Sequence, residues 1–200
     1  MTDLTIIKGK TFIRTVRWET EPLIYKPITA ISKAAPVAIT AVGHGMVDGW
    51  RAAIVSAGGM RQINAKNWPL RLTDFHKITK TGDDTLTFND TSSLGYTAYT
   101  SGGSLVYYTP SNLSGYAARM MVRATADAAD PALVSLASPS GGIVIDNAAK
   151  TITITIAATV TAAYTFDEGV YDLELVSGDA TPVVTLLLAG NVFVTDEVTK

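Results

Sequence analysis

Thr151, Ile152, Thr153, Ile154, Thr155 and Ile156 follow one another without interruption, and no other stretch restricts the fold as tightly. Only an extended backbone, with its two-residue period, places the three isoleucines on one face and the three threonines on the other. The stretch therefore predicts a half-buried strand. The same alternation recurs in Tyr171-Asp172-Leu173-Glu174-Leu175-Val176, where the carboxylates face outward. It is weaker near the start, where Phe12, Arg14, Val16 and Trp18 share one side against Ile13, Thr15, Arg17 and Glu19. The apolar run 183–188 does not alternate, and reads as a strand covered on both faces. β-branched and aromatic residues fill these runs, as a pleated surface favours.

Turn chemistry separates the runs: Lys8-Gly9-Lys10, Gly82-Asp83-Asp84, Ser101-Gly102-Gly103, Ser140-Gly141-Gly142 and Ser177-Gly178-Asp179. Short strands with turn signals about every 8–12 residues predict an all-β fold of sandwich or barrel type. One alanine-rich segment, 157–164, predicts one or two helical turns crossing between sheets. Composition divides the chain further. The glycine-rich stretch 28–106 carries both histidines and two of the three tryptophans, whereas 1–27 and 107–200 share a regular strand pattern. The expected organisation is a discontinuous domain, 1–27 plus 107–200, with a small β module, 28–106, inserted between its parts. Pro27 and Pro110 stand near the junctions, where a residue unable to donate to a ladder suits a chain exit.

Hydrophobic residues make up 47% of the 200 and charged residues 17%, enough for a buried core and against wholesale disorder. The net charge of −2, without a Lys/Arg cluster, argues against a nucleic-acid partner. The absence of cysteine excludes disulfides and thiolate metal sites. No apolar run approaches the roughly 18 residues needed to span a bilayer, and the N-terminus lacks a signal-peptide pattern. A soluble protein made in the cytoplasm, with no membrane partner, is expected.

Asn112-Leu113-Ser114-Gly115-Tyr116-Ala117-Ala118-Arg119-Met120-Met121-Val122-Arg123 resembles the DLTGYTARMQIR signature of tailed-bacteriophage virion proteins. Gly142-Ile143-Val144-Ile145, Lys150-Thr151-Ile152-Thr153-Ile154, Val170-Tyr171-Asp172-Leu173-Glu174-Leu175 and Glu197-Val198-Thr199 follow in that family's order. Gly9-Lys10-Thr11-Phe12 with Val16-Arg17-Trp18 is similar to its opening strand pair. That family resembles the N-terminal domain of phage baseplate upper proteins, and the resemblance implies an immunoglobulin-like β-sandwich. Ser114, Ala117 and Lys200 depart from its usual residues. Pro27-Ile28 through Pro36-Val37, Gly43-His44-Gly45-Met46-Val47-Asp48-Gly49-Trp50, Gly58-Gly59-Met60 and Ile63-Asn64 resemble a small β-barrel module of phage structural proteins. That module is often described as like a non-catalytic half-domain of ubiquitin-activating enzymes. The resemblance concerns fold, and ubiquitin chemistry needs a cysteine that the chain lacks.

Tests for chemistry return little. His44 lies between two glycines with Asp48 four residues on, but metal binding needs three or four converging ligands, so a turn role is expected. No Gly-x-Ser-x-Gly elbow or phosphate-binding loop occurs. The doublets Asp83-Asp84, Asp167-Glu168 and Asp196-Glu197 read as solvated turns, since neighbours in a strand face opposite sides. A calcium loop from Asp83, Asp84, Asn89 and Asp90 is a weaker reading. No enzyme activity, catalytic residue, cofactor or metal is expected. Tyr96, Tyr99, Tyr107 and Tyr108, in a Gly/Ser/Thr-rich stretch, are candidate interface residues, as are Arg119 and Arg123 on the outward face of their strand. Tyr116, Ala118, Met120 and Val122 face inward on this reading. Trp50 and Trp68 are candidate carbohydrate contacts, with core packing as the alternative.

The function implied is that of a non-enzymatic virion structural protein, a docking or adaptor component of the tail, baseplate or head–tail connection. Its partners would be other virion proteins and further copies of itself in a symmetric ring or fibre. The alternative is a host-surface carbohydrate-binding module. An enzyme such as a depolymerase would need an acid–base or nucleophile set that the sequence does not assemble.

Overall fold

The computed structural model describes residues 2–198, so Met1 and the Thr199 and Lys200 that end the family-like pattern lie outside the described residues. The fold is all-β with curled sheets. In chain order the strands are β1 (Leu4–Ile7), β2 (Phe12–Val16), β3 (Glu19–Pro27), β4 (Ala30–Ile31), β5 (Val37–Thr40), β6 (Arg51–Val55), β7 (His76–Lys80) and β8 (Thr85–Phe88). They continue with β9 (Ser104–Pro110), β10 (Ala117–Arg123), β11 (Val134–Ala137), β12 (Ile143–Asp146), β13 (Thr151–Ile156), β14 (Glu168–Val176) and β15 (Val184–Thr195). A short α-helix, α1 (Ala158–Thr161), lies in the alanine-rich segment between β13 and β14, and two 3-10 turns, Arg61–Ile63 and Leu72–Asp74, lie between β6 and β7.

The chain forms two compact units, one from Met1–Trp18 with Ser111–Lys200, the other from Glu19–Pro110. The junctions therefore fall at Trp18/Glu19 and Pro110/Ser111 instead of after Pro27 and before Tyr107. The reason is a ladder. β3 and β9 pair antiparallel from Glu19↔Pro110 to Pro27↔Ser104, so both presumed exits are strands of the second unit.

In the first unit a five-stranded sheet runs β1-β15-β14-β10-β11 and a three-stranded sheet runs β12-β13-β2. Both contribute to one core. Met120 and Val122 of β10 and Leu173 and Leu175 of β14 are fully buried, and so are Ile152 and Ile154 of β13 and Ile143 of β12. The alternation in β13 and β14 thus has the cause the sequence suggests: one face meets the core and the other does not. β10 follows the same rule, with Ala118, Met120 and Val122 inward and Arg119 and Met121 outward. Tyr116 is half-buried and meets Trp18 edge-on, ring centroids 5.6 Å apart. β1 pairs in parallel with the end of β15, Leu4↔Val192 to Ile7↔Thr195.

The run 183–188 departs from expectation. Val183, Val184 and Leu186 are exposed at 59%, 48% and 58%, so the strand is not covered on both faces. Leu173 faces Leu188 while Glu174 faces Leu186, leaving Leu187 as an extra, bulged residue. The bulge reverses the phase, which is why three consecutive leucines show no alternation. Thr185 and Leu188 share the inner face with Leu175 and Leu173, and Val184 and Leu186 share the outer face with Val176 and Glu174.

The second unit is one seven-stranded sheet of order β3-β9-β6-β7-β8-β5-β4. Its two outermost strands, β3 and β4, are consecutive in the chain. The residues joining them bond to opposite neighbours: Ile28 N–H donates to Gly103 O (3.0 Å) and Thr29 N–H to Thr40 O (2.9 Å). Val37, Ile39, Ile54, Ile78, Leu86, Phe88 and Leu105 fill the interior of this sheet.

Candidate functional site

The two histidines stand in different settings within the second unit. His44 is fully buried, and its Nδ1 accepts the Met46 N–H at 3.0 Å, closing the Gly43-His44-Gly45 turn. Its carbonyl accepts the Tyr107 hydroxyl, and its Nε2 is buried without a hydrogen-bond partner. Asp48 is occupied elsewhere, accepting the Lys80 N–H at 2.9 Å. His44 thus builds a turn, as its glycine neighbours suggest.

His76 lies at the start of β7, stacked on Phe88 with centroids 4.8 Å apart, and borders a groove of about 440 Å³. Its Nδ1 meets Asp90 Oδ1 at 2.9 Å and Thr91 Oγ1 at 3.2 Å. Burial opposes ionisation of Asp90, but the bonds from His76 and Thr91 outweigh it and hold the carboxyl below the ordinary carboxylate range. A nucleophile–base–acid relay needs the hydroxyl and the carboxylate on opposite ring nitrogens. Here both meet Nδ1, so this arrangement orients an imidazole without activating a hydroxyl.

The four residues weighed as a calcium loop are not brought together. Asp84 accepts the Gly43 N–H (2.8 Å), Asp83 pairs with Lys80 Nζ (2.8 Å), and Asp90 pairs with His76. The Asp83-Asp84 pair precedes β8 and Asn89-Asp90 follows it. A four-residue strand of about 13 Å separates the two ends, too far for one ion. Among the described residues no group of three or more His, Asp or Glu is placed to hold a metal. In the first unit Asp167 and Asp196 meet Lys8 Nζ at 3.6 and 3.0 Å, which raises the lysine pKa, chiefly through the bond to Asp196.

The aromatic candidates separate by burial. Trp50 is 3% exposed and packs at 6.5 Å from Tyr107, so it cannot touch a sugar in the folded protein; its reading as a carbohydrate contact is corrected. Tyr107 is 3% exposed with its hydroxyl bonded to His44, and its reading as an interface residue is corrected likewise. Burial raises the pKa of that phenol. For Tyr107 the cause is strand parity, since Leu105 and Tyr107 occupy the inward face of β9, and Trp50, just before β6, is packed into the same core; composition carries neither fact. Tyr96 and Tyr99 are half-buried against the same core, and the Tyr99 hydroxyl donates to Ile28 O (3.0 Å) and Gly102 O (2.9 Å). Tyr108 is half-buried and stacks on Phe75 at 5.4 Å.

Trp68 is 75% exposed and lines a shallow depression with Tyr25, Val55, Ser56, Gly103 and Ser104. Tyr25, 47% exposed, carries no signal in the sequence beyond its outward position in β3. The loop bearing Trp68 is organised by Asp74. Its buried carboxylate accepts the N–H groups of Lys66 (3.0 Å) and Arg71 (2.8 Å) and the side-chain amide of Asn67 (3.1 and 3.2 Å). The Arg71 bond does most to hold the Asp74 pKa below its usual value.

On the first unit, Arg119 Nε donates to Glu174 at 2.7 Å across the outer face of the five-stranded sheet. Arg123 bonds Asp130 (2.6 Å) and Ala128 O (2.8 Å), tying the loop after β10. Beside them lies the edge of β15. From Val184 to Leu188 this strand has β14 on one side and, among the described residues, no paired strand on the other, because β1 pairs only from Val192 onward. No family model matches the chain, and no curated protein is similar enough to it to be matched.

Proposed function

We propose that the protein is a non-enzymatic structural component of a tailed-bacteriophage particle, a docking or adaptor part of the tail, baseplate or head–tail connection. Its first unit would be an immunoglobulin-like β-sandwich and its second a small inserted barrel. The family-like segments support the first half of this: they supply β10, β12, β13 and β14, whose inward residues make the core. The link from β3 to β4, bonded to both flanking strands, supports the second.

The observation that carries the attachment role is the edge of β15. An uncharged, apolar sheet edge is a template for strand addition unless something protects it. Between Asp179 and Asp196 no residue is charged, and Val183, Val184 and Leu186 stand in solvent. The occupant is a second copy of the chain. Two β15 edges running antiparallel place no like charges opposite each other, and a two-fold contact uses the same patch twice. Leu186→Lys, on the exposed face, puts a charge there at little cost to the monomer. Sedimentation of the parent chain should give an oligomer whose dissociation constant rises at least about tenfold in the variant. A chain monomeric at every concentration, or an oligomer indifferent to Leu186→Lys, refutes this mode of attachment.

A further inference from the structure

We propose that the depression beside Trp68 binds a neutral saccharide, with Trp68 and Tyr25 offering ring faces and Ser56 and Ser104 offering hydroxyls. This goes beyond the attachment role and does not depend on it.

An indole 75% exposed on a surface loop is unusual, because tryptophan carries a large apolar payload that folding normally buries, as it buries Trp50 in the same unit. Nor is the loop slack. The Asp74 carboxylate is bonded to Lys66 and Asn67 before Trp68 and to Arg71 after it, so the loop is anchored on both sides of the indole. The opposite wall is held as firmly. Asn64 accepts the Ala57 N–H (2.8 Å) and donates to the Ala57 carbonyl (3.1 Å). That clamp adjoins Ser56, a non-glycine residue at φ 59°. Left-handed backbone at such a residue persists only where its surroundings impose it, and binding sites are where such positions gather. Gly103 (φ +86°) completes the floor, and a Cβ there would lie 2.8 Å from Ala57 Cα. The backbone that carries Trp68, Ser56 and Gly103 is thus set before any ligand arrives, which lowers the entropy cost of binding.

The lining decides the class of ligand. It contains no charged side chain, so a phosphate, carboxylate or ammonium group would enter without a counter-ion. A wholly apolar ligand would cover the serine hydroxyls and leave them unpaired. A pyranose meets both demands, with one face of C–H groups to lie on an aromatic ring and a rim of hydroxyls to exchange hydrogen bonds. The depression, about 490 Å³, falls within the ~300–1,000 Å³ range of small-molecule sites.

Saturation-transfer NMR on the intact chain tests this, with methyl glycosides of glucose, galactose and rhamnose as neutral probes and methyl glucuronide as the charged one. The expected result is transfer to at least one neutral glycoside, strongest on the protons of one ring face. Trp68→Ala and Tyr25→Ala should each weaken that binding about tenfold or more. Because Trp68 is 75% exposed, the thermal transition of Trp68→Ala should stay where it is, separating loss of binding from loss of fold; Tyr25 is 47% exposed, so binding by Tyr25→Ala is read at a temperature well below that variant's own transition. Absence of transfer to all three neutral glycosides overturns the proposal. So does preference for the glucuronide, or binding that survives both substitutions. Loss of self-association in Trp68→Ala without saccharide binding would also overturn it, by giving the ring to a protein contact.

Discussion

Removing one oxygen from Tyr107 distinguishes a structural residue from an interface residue. The phenol is 3% exposed, its hydroxyl donates to the His44 carbonyl, and its ring packs near Trp50. Tyr107→Phe keeps the ring and leaves a buried carbonyl without its donor. An unmet buried acceptor costs about 1–3 kcal/mol, and the atom-sized void adds little. In a unit of about 90 residues, each kcal/mol moves the midpoint by about 4–8 °C, so a loss near 2 kcal/mol lowers Tm by about 8–16 °C. The assay is thermal and urea denaturation followed by tryptophan emission. Trp50 and Trp68 report on this unit and Trp18 on the other, so two transitions can be resolved if the units unfold separately. A variant within about 0.5 kcal/mol of the parent would refute the burial argument. Normal stability with lost self-association would return Tyr107 to the interface.

Tyr116→Ala should destabilise the first unit by about 2–3 kcal/mol, below the 3–5 of a fully buried aromatic, because the residue is not fully buried but forms an edge-on pair with Trp18; parent-like urea denaturation would contradict the inward placement. Asp74 sets an acid limit. Its carboxyl titrates below the ordinary value in the folded chain, so the folded state holds this proton less readily than the unfolded one. The stability it provides is present above pH ~4 and is lost as pH falls through the depressed value. Asp74→Asn should weaken that acid dependence and lower stability at neutral pH, since an amide cannot accept from both flanks of the loop. An unchanged pH–stability profile for the variant would count against the anchor.

Where one face of a strand is buried and the other wet, the sequence carries the fold openly. The isoleucines of β13 and the leucines of β14 read correctly for that reason, and the alanine-rich turn that becomes α1 reads because the alternation stops at Ile156 and the alanine-rich stretch begins at Ala157. The junctions were less legible. Proline at 27 and 110 suggests chain exits, but each stands at the end of a paired strand, and pairing depends on residues some eighty positions away. The aromatic candidates show the same limit. Tyr107 and Tyr108 are neighbours in one strand, and parity sends the first into the core and leaves the second half-exposed. The composition around them cannot assign the phase. Trp50 and Trp68 likewise share a residue type and diverge on which segment the sheet covers. Asp74 and Tyr25 carried no motif at all, since their roles arise from backbone groups and a depression that exist only after folding.

The leucine run of β15 shows why an unbroken apolar stretch does not by itself mean full cover. Two causes produce that pattern in a strand: burial on both faces, or a bulge that reverses the alternation within a single buried face. They have opposite consequences for solubility. The first hides every side chain. The second leaves half of them, and the adjoining backbone edge, open to another chain. Residues 183–188 belong to the second kind, because Leu187 is the extra residue and Val184 and Leu186 stay outside. Pro182 stands two residues before the strand, where its missing N–H falls outside the edge of 184–188 and leaves that edge unblocked. A protein selected only to remain monomeric would place a lysine or glutamate among these residues, and this chain places none between Asp179 and Asp196. The exposed edge is therefore consistent with a surface meant to be covered, and Leu186→Lys is the substitution that separates that reading from a merely tolerated one.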